Sequence, residues 1–259
     1  MNLLLNQIVE ELLEAELKKQ ALTPLTQKYS NLDVRDAYHI QLGVINKKIK
    51  SGRKVVGKKV GLTSISMQQM LGVDEPDYGH LLDDMKVSSG GNVKVNDLLS
   101  PKVEAEIGFI LGEDLKGPKV TWVDVLMATK YLTPTLEIID TRIADWNIQL
   151  IDTVADNGSS AKFVIGEQLT EINGMDLRSI GMTLYKNGEL ISTGSGAAAL
   201  GHPAHAIAWL ANKLYEFDIP LKAGELILPG ALSGAITAKE GDTVSAHFGR
   251  LGSVSVTFE

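Results

Sequence analysis

Three glutamates occupy positions where the surrounding sequence is apolar. In PKVEAEIGFIL, residues 101–111, Val103, Ala105, Ile107 and Phe109 alternate with the other positions, so Glu104 and Glu106 project side by side from one face of a strand. Glu137, between Leu136 and Ile138 in TPTLEIIDTRIADW, is a third acid in a similar setting. Adjacent half-buried carboxylates repel one another and lose solvation, so something must compensate them. Three of them converging from two strands would suit a hard divalent cation such as Mg2+ or Mn2+, which prefers oxygen ligands. The competing reading pairs the two acids of the E-x-E with Lys or Arg across a sheet, and spacing alone leaves both open.

Other polar residues are candidates on weaker grounds. Lys58 and Lys59 are neighbours in KVVGKKVGLTS, so in a strand they face opposite ways, one inward and one as a solvated charge. Asp77, ahead of Tyr78-Gly79, reads first as a turn acceptor, and Asn157 and Ser159 read first as turn formers around Gly158. His80 follows the same DYG. His202 and His205 start a helix without a third ligand in their segment, which points to capping or packing. GSGAAALG lacks the lysine of a phosphate loop and reads as close backbone packing. Asp140 and Arg142 are expected to pair beside Glu137.

The elements that would carry these residues follow from periodicity. Leu3, Leu4, Ile8, Leu12 and Leu13 form a helical stripe, and Asp33 is a plausible cap for a second helix with Tyr38, Leu42 and Ile45 on one face. SISMQQMLGV suggests a short helix capped by Ser64. Strands are expected at KVVGKKVG, 102–112, 134–140, 161–166, 180–186, 189–193, 225–229, 243–248 and 252–258, with Asn187-Gly188 as a hairpin turn. Helices are expected at 121–131, capped by Thr121 and Asp124, and at 203–217, with Pro203 in the first turn. The class is α+β: a helical N-terminal region over 1–75 packed on a largely antiparallel β-rich core over 76–259, together one functional domain.

The totals agree with an enzyme-sized globular chain. It has 259 residues, and 44% of them are hydrophobic, enough for a sizeable core. With 25 basic and 32 acidic side chains the formal charge is −7, and without a basic run this argues against a nucleic-acid partner. The absence of cysteine removes disulfides, thiolate nucleophiles and Cys-ligated metals, and fits a reducing cytoplasm. The first residues, MNLLLNQIVEELLEAELKKQ, read as an amphipathic helix and not as a secretory leader, and no apolar run approaches the roughly 20 residues that span a bilayer.

Six segments in order, GKKVGLTS, EPDYGHLLDDM, PKVEAEIGFILGEDL, LEIIDTRIADW, DTVADNGSS and GSGAAALGHP, resemble the hydratase/decarboxylase family of aromatic meta-cleavage pathways, within the fumarylacetoacetate hydrolase superfamily. The resemblance covers nearly the whole chain and implies that superfamily's mixed β core. It implies that Glu104, Glu106 and Glu137 are metal ligands for Mg2+ or Mn2+, that Lys59 is an active-site lysine and that Asp77 is an acid carried by the hydratases. It places Asn157 and Ser159 where the family contacts substrate or positions the site. The implied activity is metal-dependent addition of water to a small 2-hydroxy-dienoate, equivalent to a 2-oxo-enoate, in a homo-oligomer that can associate with a paralogous enzyme. Asp77 and Lys58 stand where the decarboxylases usually have apolar residues, whereas NGSS is closer to the decarboxylase form, and EPDYGHLLDDM also resembles hydratases of a longer diacid. Decarboxylation of a 2-oxo-enedioate is therefore the alternative reaction; a non-catalytic partner subunit and a C–C hydrolase are more distant ones.

Overall fold

The computed structural model of the chain describes residues 3–65, 68–69 and 72–259. The N-terminal sequence is helical as read, but Leu3 and Leu4 of the expected apolar stripe are exposed. Helix α1 (Leu3–Lys18) buries Leu5, Ile8, Val9 and Leu12, and short α2 (Leu25–Lys28) leads to α3 (Val34–Lys50). Asp33 caps α3 in a reciprocal box with Asp36, satisfying backbone donors that the first turn leaves free. The short helix read over SISMQQMLGV falls partly outside the described residues.

The rest of the chain builds two sheets. In the first, β1 (Val55–Gly61), β2 (Asp77–Leu82), β3 (Lys86–Ser88), β5 (Lys102–Leu111), β6 (Thr129–Ile139), β7 (Ser160–Ile165) and β10 (Leu226–Leu228) run in the order β2-β1-β10-β5-β6-β7-β3, and β11 (Ile236–Thr237) joins β5. The second takes β4 (Gly91–Val93), β8 (Gly181–Lys186), β9 (Glu189–Ser195), β12 (Thr243–Phe248) and β13 (Gly252–Phe258) in the order β4-β13-β12-β8-β9. Most pairs are antiparallel; β1·β10, β3·β7 and β4·β13 are parallel. Asn187 and Gly188, both at positive φ, make the β8–β9 hairpin. Helices α4 (Trp122–Ala128), α5 (Leu150–Ala155) and α6 (Pro203–Tyr215) connect the strands, with Thr121 and Asp124 capping α4 and Pro203 opening α6.

β1 lies before the expected boundary at residue 75, yet it is inserted between β2 and β10 of the main sheet. The purely helical part ends at Lys50. The helix read over 121–131 stops at Ala128 because Thr129 and the residues after it pair with β5, a buried strand partner that outweighs local helical tendency. β2 escaped the reading because every residue of DYGHLL is buried, so it shows no alternation.

The long β5–β6 pair sets the floor of the molecule. Val103, Ala105, Ile107 and Phe109 are buried with Leu132, Leu136 and Ile138, and each large apolar side chain buried there contributes about 1.5–3 kcal/mol. Helix α3 docks on this scaffold through Tyr38, stacked on Tyr78 of β2 at 4.4 Å, and through Gln41, which donates to the carbonyls of Tyr78 and Val154.

Candidate active site

The β5–β6 register answers the question posed by the E-x-E. Glu104 faces Glu137 directly across the ladder and Glu106 faces Thr135, so no Lys or Arg stands opposite either acid. Like charges directly opposed destabilise a strand pair. Each of Glu104, Glu106 and Glu137 offers a carboxylate oxygen, and these lie within 4.8 Å of one another, the sole such cluster among the described residues. Glu106 and Glu137 are fully buried. Burial pushes the Glu104 carboxyl up to about 7, Glu106 well above its ordinary range and Glu137 upward, and for Glu104 and Glu106 the neighbouring glutamates add to the rise.

The cluster fits a divalent cation on the state of its own oxygens. Glu106 Oε1 and both oxygens of Glu137 are buried without a hydrogen-bond partner, which is costly unless a cation occupies the space between them. The donor set is all oxygen, as hard cations require. Glu106 Oε2 accepts from Gly230 N at 2.6 Å, which leaves Oε1 as the unpartnered oxygen. Gly230 adopts φ +112°, and a methyl there would come within 2.0 Å of Thr63 Oγ1, so glycine is required at this donor.

Lys59 crosses to the cluster from β1. Its Nζ is 2.9 Å from Gly158 O and 3.5 Å from Glu137 Oε2. Burial lowers the lysine's proton affinity, but Glu137, Asp77, Glu104 and Glu106 outweigh it and hold Lys59 above its ordinary value, as a permanent cation. Lys58 points the other way and is not solvated as expected: it is buried against Glu225, with both carboxylate oxygens at 2.7 Å.

Asp77 opens β2 beside the last residue of β1. Thr153 Oγ1 donates to Asp77 Oδ2 at 3.2 Å and stands 3.4 Å from Ser159 Oγ, while Asp77 Oδ1 is buried without a partner. Gly61 makes room for this approach: a methyl on it would lie 2.2 Å from Asp77 Oδ1 and 3.1 Å from Lys59 Nζ. Thr153 was not legible as a site residue, because its only signal is its place on α5 across from β2.

Lys59, Asp77, Glu104 and Ser159 line one cavity of about 530 Å³, with Thr153 and Gly158 in its wall. Its apolar lining includes Leu62, Ile139, Trp146, Ile148 and Leu232. Asn157 is placed differently. Its side chain accepts from His80 N and donates to His80 O, and it borders a separate cavity of about 230 Å³. Asn157, Gly158 and Ser159 all have positive φ, and the Asn157 clamp holds this turn so that the Gly158 carbonyl meets Lys59. His80 is buried with Nδ1 on Gln41 and does not reach the cavity; burial pushes it down to about 3.

Two further expectations resolve in detail. Arg142 pairs with Asp156, not Asp140, whose carboxylate instead caps the backbone at Leu99 and Ser100; only the Asp140 carbonyl touches Arg142. His202 Nδ1 accepts from Ala204 N, a helix cap as read.

Comparison with known proteins gives concordant results. The model of the fumarylacetoacetate (FAA) hydrolase C-terminal family matches residues 73–259. The chain is 46% identical to 2-keto-4-pentenoate hydratase of Paraburkholderia xenovorans (strain LB400), over 96% of this chain and 93% of that one. It is 45% identical to 2-hydroxyhexa-2,4-dienoate hydratase of Comamonas testosteroni, over 96% and 95%. Among solved structures, 4-oxalocrotonate decarboxylase from Pseudomonas putida G7, complexed with magnesium and adipate, superposes with a TM-score of 0.96 at 37% identity, covering 98% of this chain and 97% of that one.

Proposed function

The chain belongs to the fumarylacetoacetate hydrolase family, and from that premise we propose that it is a divalent-metal-dependent hydro-lyase that converts 2-hydroxypenta-2,4-dienoate to 4-hydroxy-2-oxopentanoate. The observation that carries the reading is the convergence of Glu104, Glu106 and Glu137 beside Lys59 and Asp77 at one cavity, in a chain whose relatives at 45–46% identity are dienoate hydratases.

Glu104, Glu106 and Glu137 would hold Mg2+ or Mn2+, which when bound supplies Lewis acidity toward the oxygens of a 2-oxo acid. The chain's own groups account for the rest. Lys59, fixed by Gly158 O and Glu137, presents positive charge where the 2-oxygen becomes electron-rich. Ketonisation moves the 2-hydroxyl proton to C5, giving a 2-oxo-3-enoate. Water then adds its hydroxyl at C4 and a proton at C3. Asp77 Oδ1 is a buried carboxylate oxygen without a partner, beside Gly61 as Lys59 Nζ is, so it is the atom placed to carry a proton or to orient that water. Thr153 holds the other oxygen. Leu62, Ile139, Ile148 and Leu232 exclude bulk water from the unsaturated chain.

The decarboxylase relative favours a second reading, loss of CO2 from 2-oxo-3-hexenedioate at the same metal and lysine. It would leave Asp77 without a task. Ser159 contacts substrate from the cavity wall, and Asn157 acts on the site through the Gly158 turn. Family membership also supports a cytoplasmic homo-oligomer in meta-cleavage catabolism, with exposed Trp122, Val123 and Met127 of α4 as apolar surface for assembly.

Proton NMR of products from the purified protein with Mg2+, with and without chelator, tests both readings. Chelator-sensitive conversion of 2-hydroxypenta-2,4-dienoate to 4-hydroxy-2-oxopentanoate is expected. CO2 release from 2-oxo-3-hexenedioate with the dienoate left unhydrated would replace the hydratase by the decarboxylase.

A further inference from the structure

Lys102 has no part in the scheme above, yet it lines the same cavity. It lies on β5 two residues before Glu104 and four before Glu106, so all three side chains leave the same face, about 6.6–6.8 Å apart along the strand. Its Nζ is 4.0 Å from the centroid of the Trp146 ring, and Trp146 Nε1 donates to Ser100 O at 3.0 Å, which anchors the ring beneath the ammonium. Among the described residues no carboxylate pairs with Lys102; its burial lowers its proton affinity and Glu104 partly offsets this.

Asp77 lies on the far side of the cluster. It opens β2, three strands from β5 in the sheet order, whereas Lys102 and Glu104 both lie on β5. Across the sheet Asp77 on β2 and Lys59 on β1 thus stand on one side of β10, and Lys102 with Glu104 on β5 stands on the other. Four carboxylates against two lysines leave an excess of two negative charges, which a divalent cation cancels. A substrate carboxylate then meets a site with one unpaired cation, at the Lys102 end, and with an acid at the other.

Resting on the hydratase reading, we propose that Lys102 is the specificity-determining residue of this site: its ammonium, seated on Trp146, takes the substrate's carboxylate and turns the unsaturated end of the chain toward Asp77. The cavity then accepts one carboxylate and disfavours a second, because a terminal carboxylate on the same chain would face Asp77.

The test uses two unreactive five-carbon probes that differ by one carboxylate, 2-oxopentanoate and 2-oxoglutarate, titrated calorimetrically into the Mg2+-loaded protein. The parent is expected to bind 2-oxopentanoate at least about 10-fold more tightly than 2-oxoglutarate. Lys102→Met should weaken 2-oxopentanoate by about 10- to 100-fold, the size of a lost charged hydrogen bond, and Lys102→Arg should restore most of it. With the dienoate, Lys102→Met should raise KM by a similar factor and lower kcat less. Unchanged 2-oxopentanoate affinity in Lys102→Met overturns the proposal while leaving hydration intact. So does a parent that prefers 2-oxoglutarate and loses only that preference on substitution, since Lys102 would then read the second carboxylate. A protein that fails to hydrate the dienoate but still binds 2-oxopentanoate through Lys102 supports the assignment and removes the hydratase reading alone.

Discussion

Thr153 Oγ1 donates to Asp77 Oδ2 at 3.2 Å and leaves Asp77 Oδ1 without a partner beside Gly61, the glycine that Lys59 Nζ also approaches. The threonine hydroxyl thus decides which carboxylate oxygen does the work. Thr153→Val keeps the shape and removes the donor. It should lower kcat by about 10- to 100-fold, matching the loss of one hydrogen bond to a charged group, and Thr153→Ser should recover most of the rate. Equal rates in the valine and serine variants would mean that packing alone matters at this position.

Gly61 tests the same placement from the other side. A methyl at this position meets Asp77 Oδ1 at 2.2 Å, so the carboxylate must move away from Lys59. Gly61→Ala should cost on the order of 100-fold in turnover, as misplacement by about 1 Å typically does. The melting temperature should change by only a few degrees, because the obstructing atom belongs to a side chain. Steady-state kinetics beside thermal melts separate the two effects.

The glutamate cluster should make the metal-free protein sensitive to alkali. Burial raises Glu104 to about 7 from 4.5, so the folded chain keeps a proton that the unfolded chain releases. Its contribution is complete below about pH 4.5 and is lost as pH rises through about 7. Denaturant titrations of chelator-treated protein should show Glu104→Gln losing less stability than the parent between about pH 5 and about pH 8. Added Mg2+ should erase the difference, because cation binding favours the ionised carboxylates. A parent and variant with parallel profiles would contradict a raised Glu104 carboxyl.

Glu106→Gln removes an oxygen with no other partner from the cluster. Mg2+ affinity, read by calorimetry, and turnover should both fall by about 10-fold or more. Undiminished affinity would take Glu106 out of the ligand set.

The Lys58–Glu225 pair predicts a stability effect without a catalytic one at its source. Lys58→Met strands Glu225 behind β1 and should destabilise by about 3–5 kcal/mol. Adding Glu225→Leu should recover much of that, since two apolar groups carry no buried charge. A double variant no more stable than the single one would show that the pair's geometry, and not its charge, holds β1 to β10.

What could be read from the sequence depended on whether the signal was local. Glu104, Glu106 and Glu137 stood out because an acid in an alternating apolar strand is anomalous by itself, and β12, β13 and the cap at Asp33 follow from short-range patterns. Lys59 and Asp77 needed the family resemblance, since a lysine pair and an Asp before Tyr-Gly have ordinary explanations. Thr153, Gly61, Gly230 and Lys102 were invisible because each acts on a residue brought to it by the fold: α5 on β2, β1 on β2, the 230 turn on β5, and Trp146 on β5. The expectation of a solvated Lys58 failed for the same reason. Alternation shows that one lysine faces away from the site, but not that Glu225 waits there.

The register that sets Glu104 opposite Glu137 has a consequence for how the chain matures. A ladder with a rung that opposes two acids resists closing, and a cation between them removes that resistance. Newly made β5 and β6 should therefore knit together faster and fray less in a cell well supplied with divalent ions. Amide deuteration across this strand pair would serve as a gauge of that supply, slowing as the ion concentration rises.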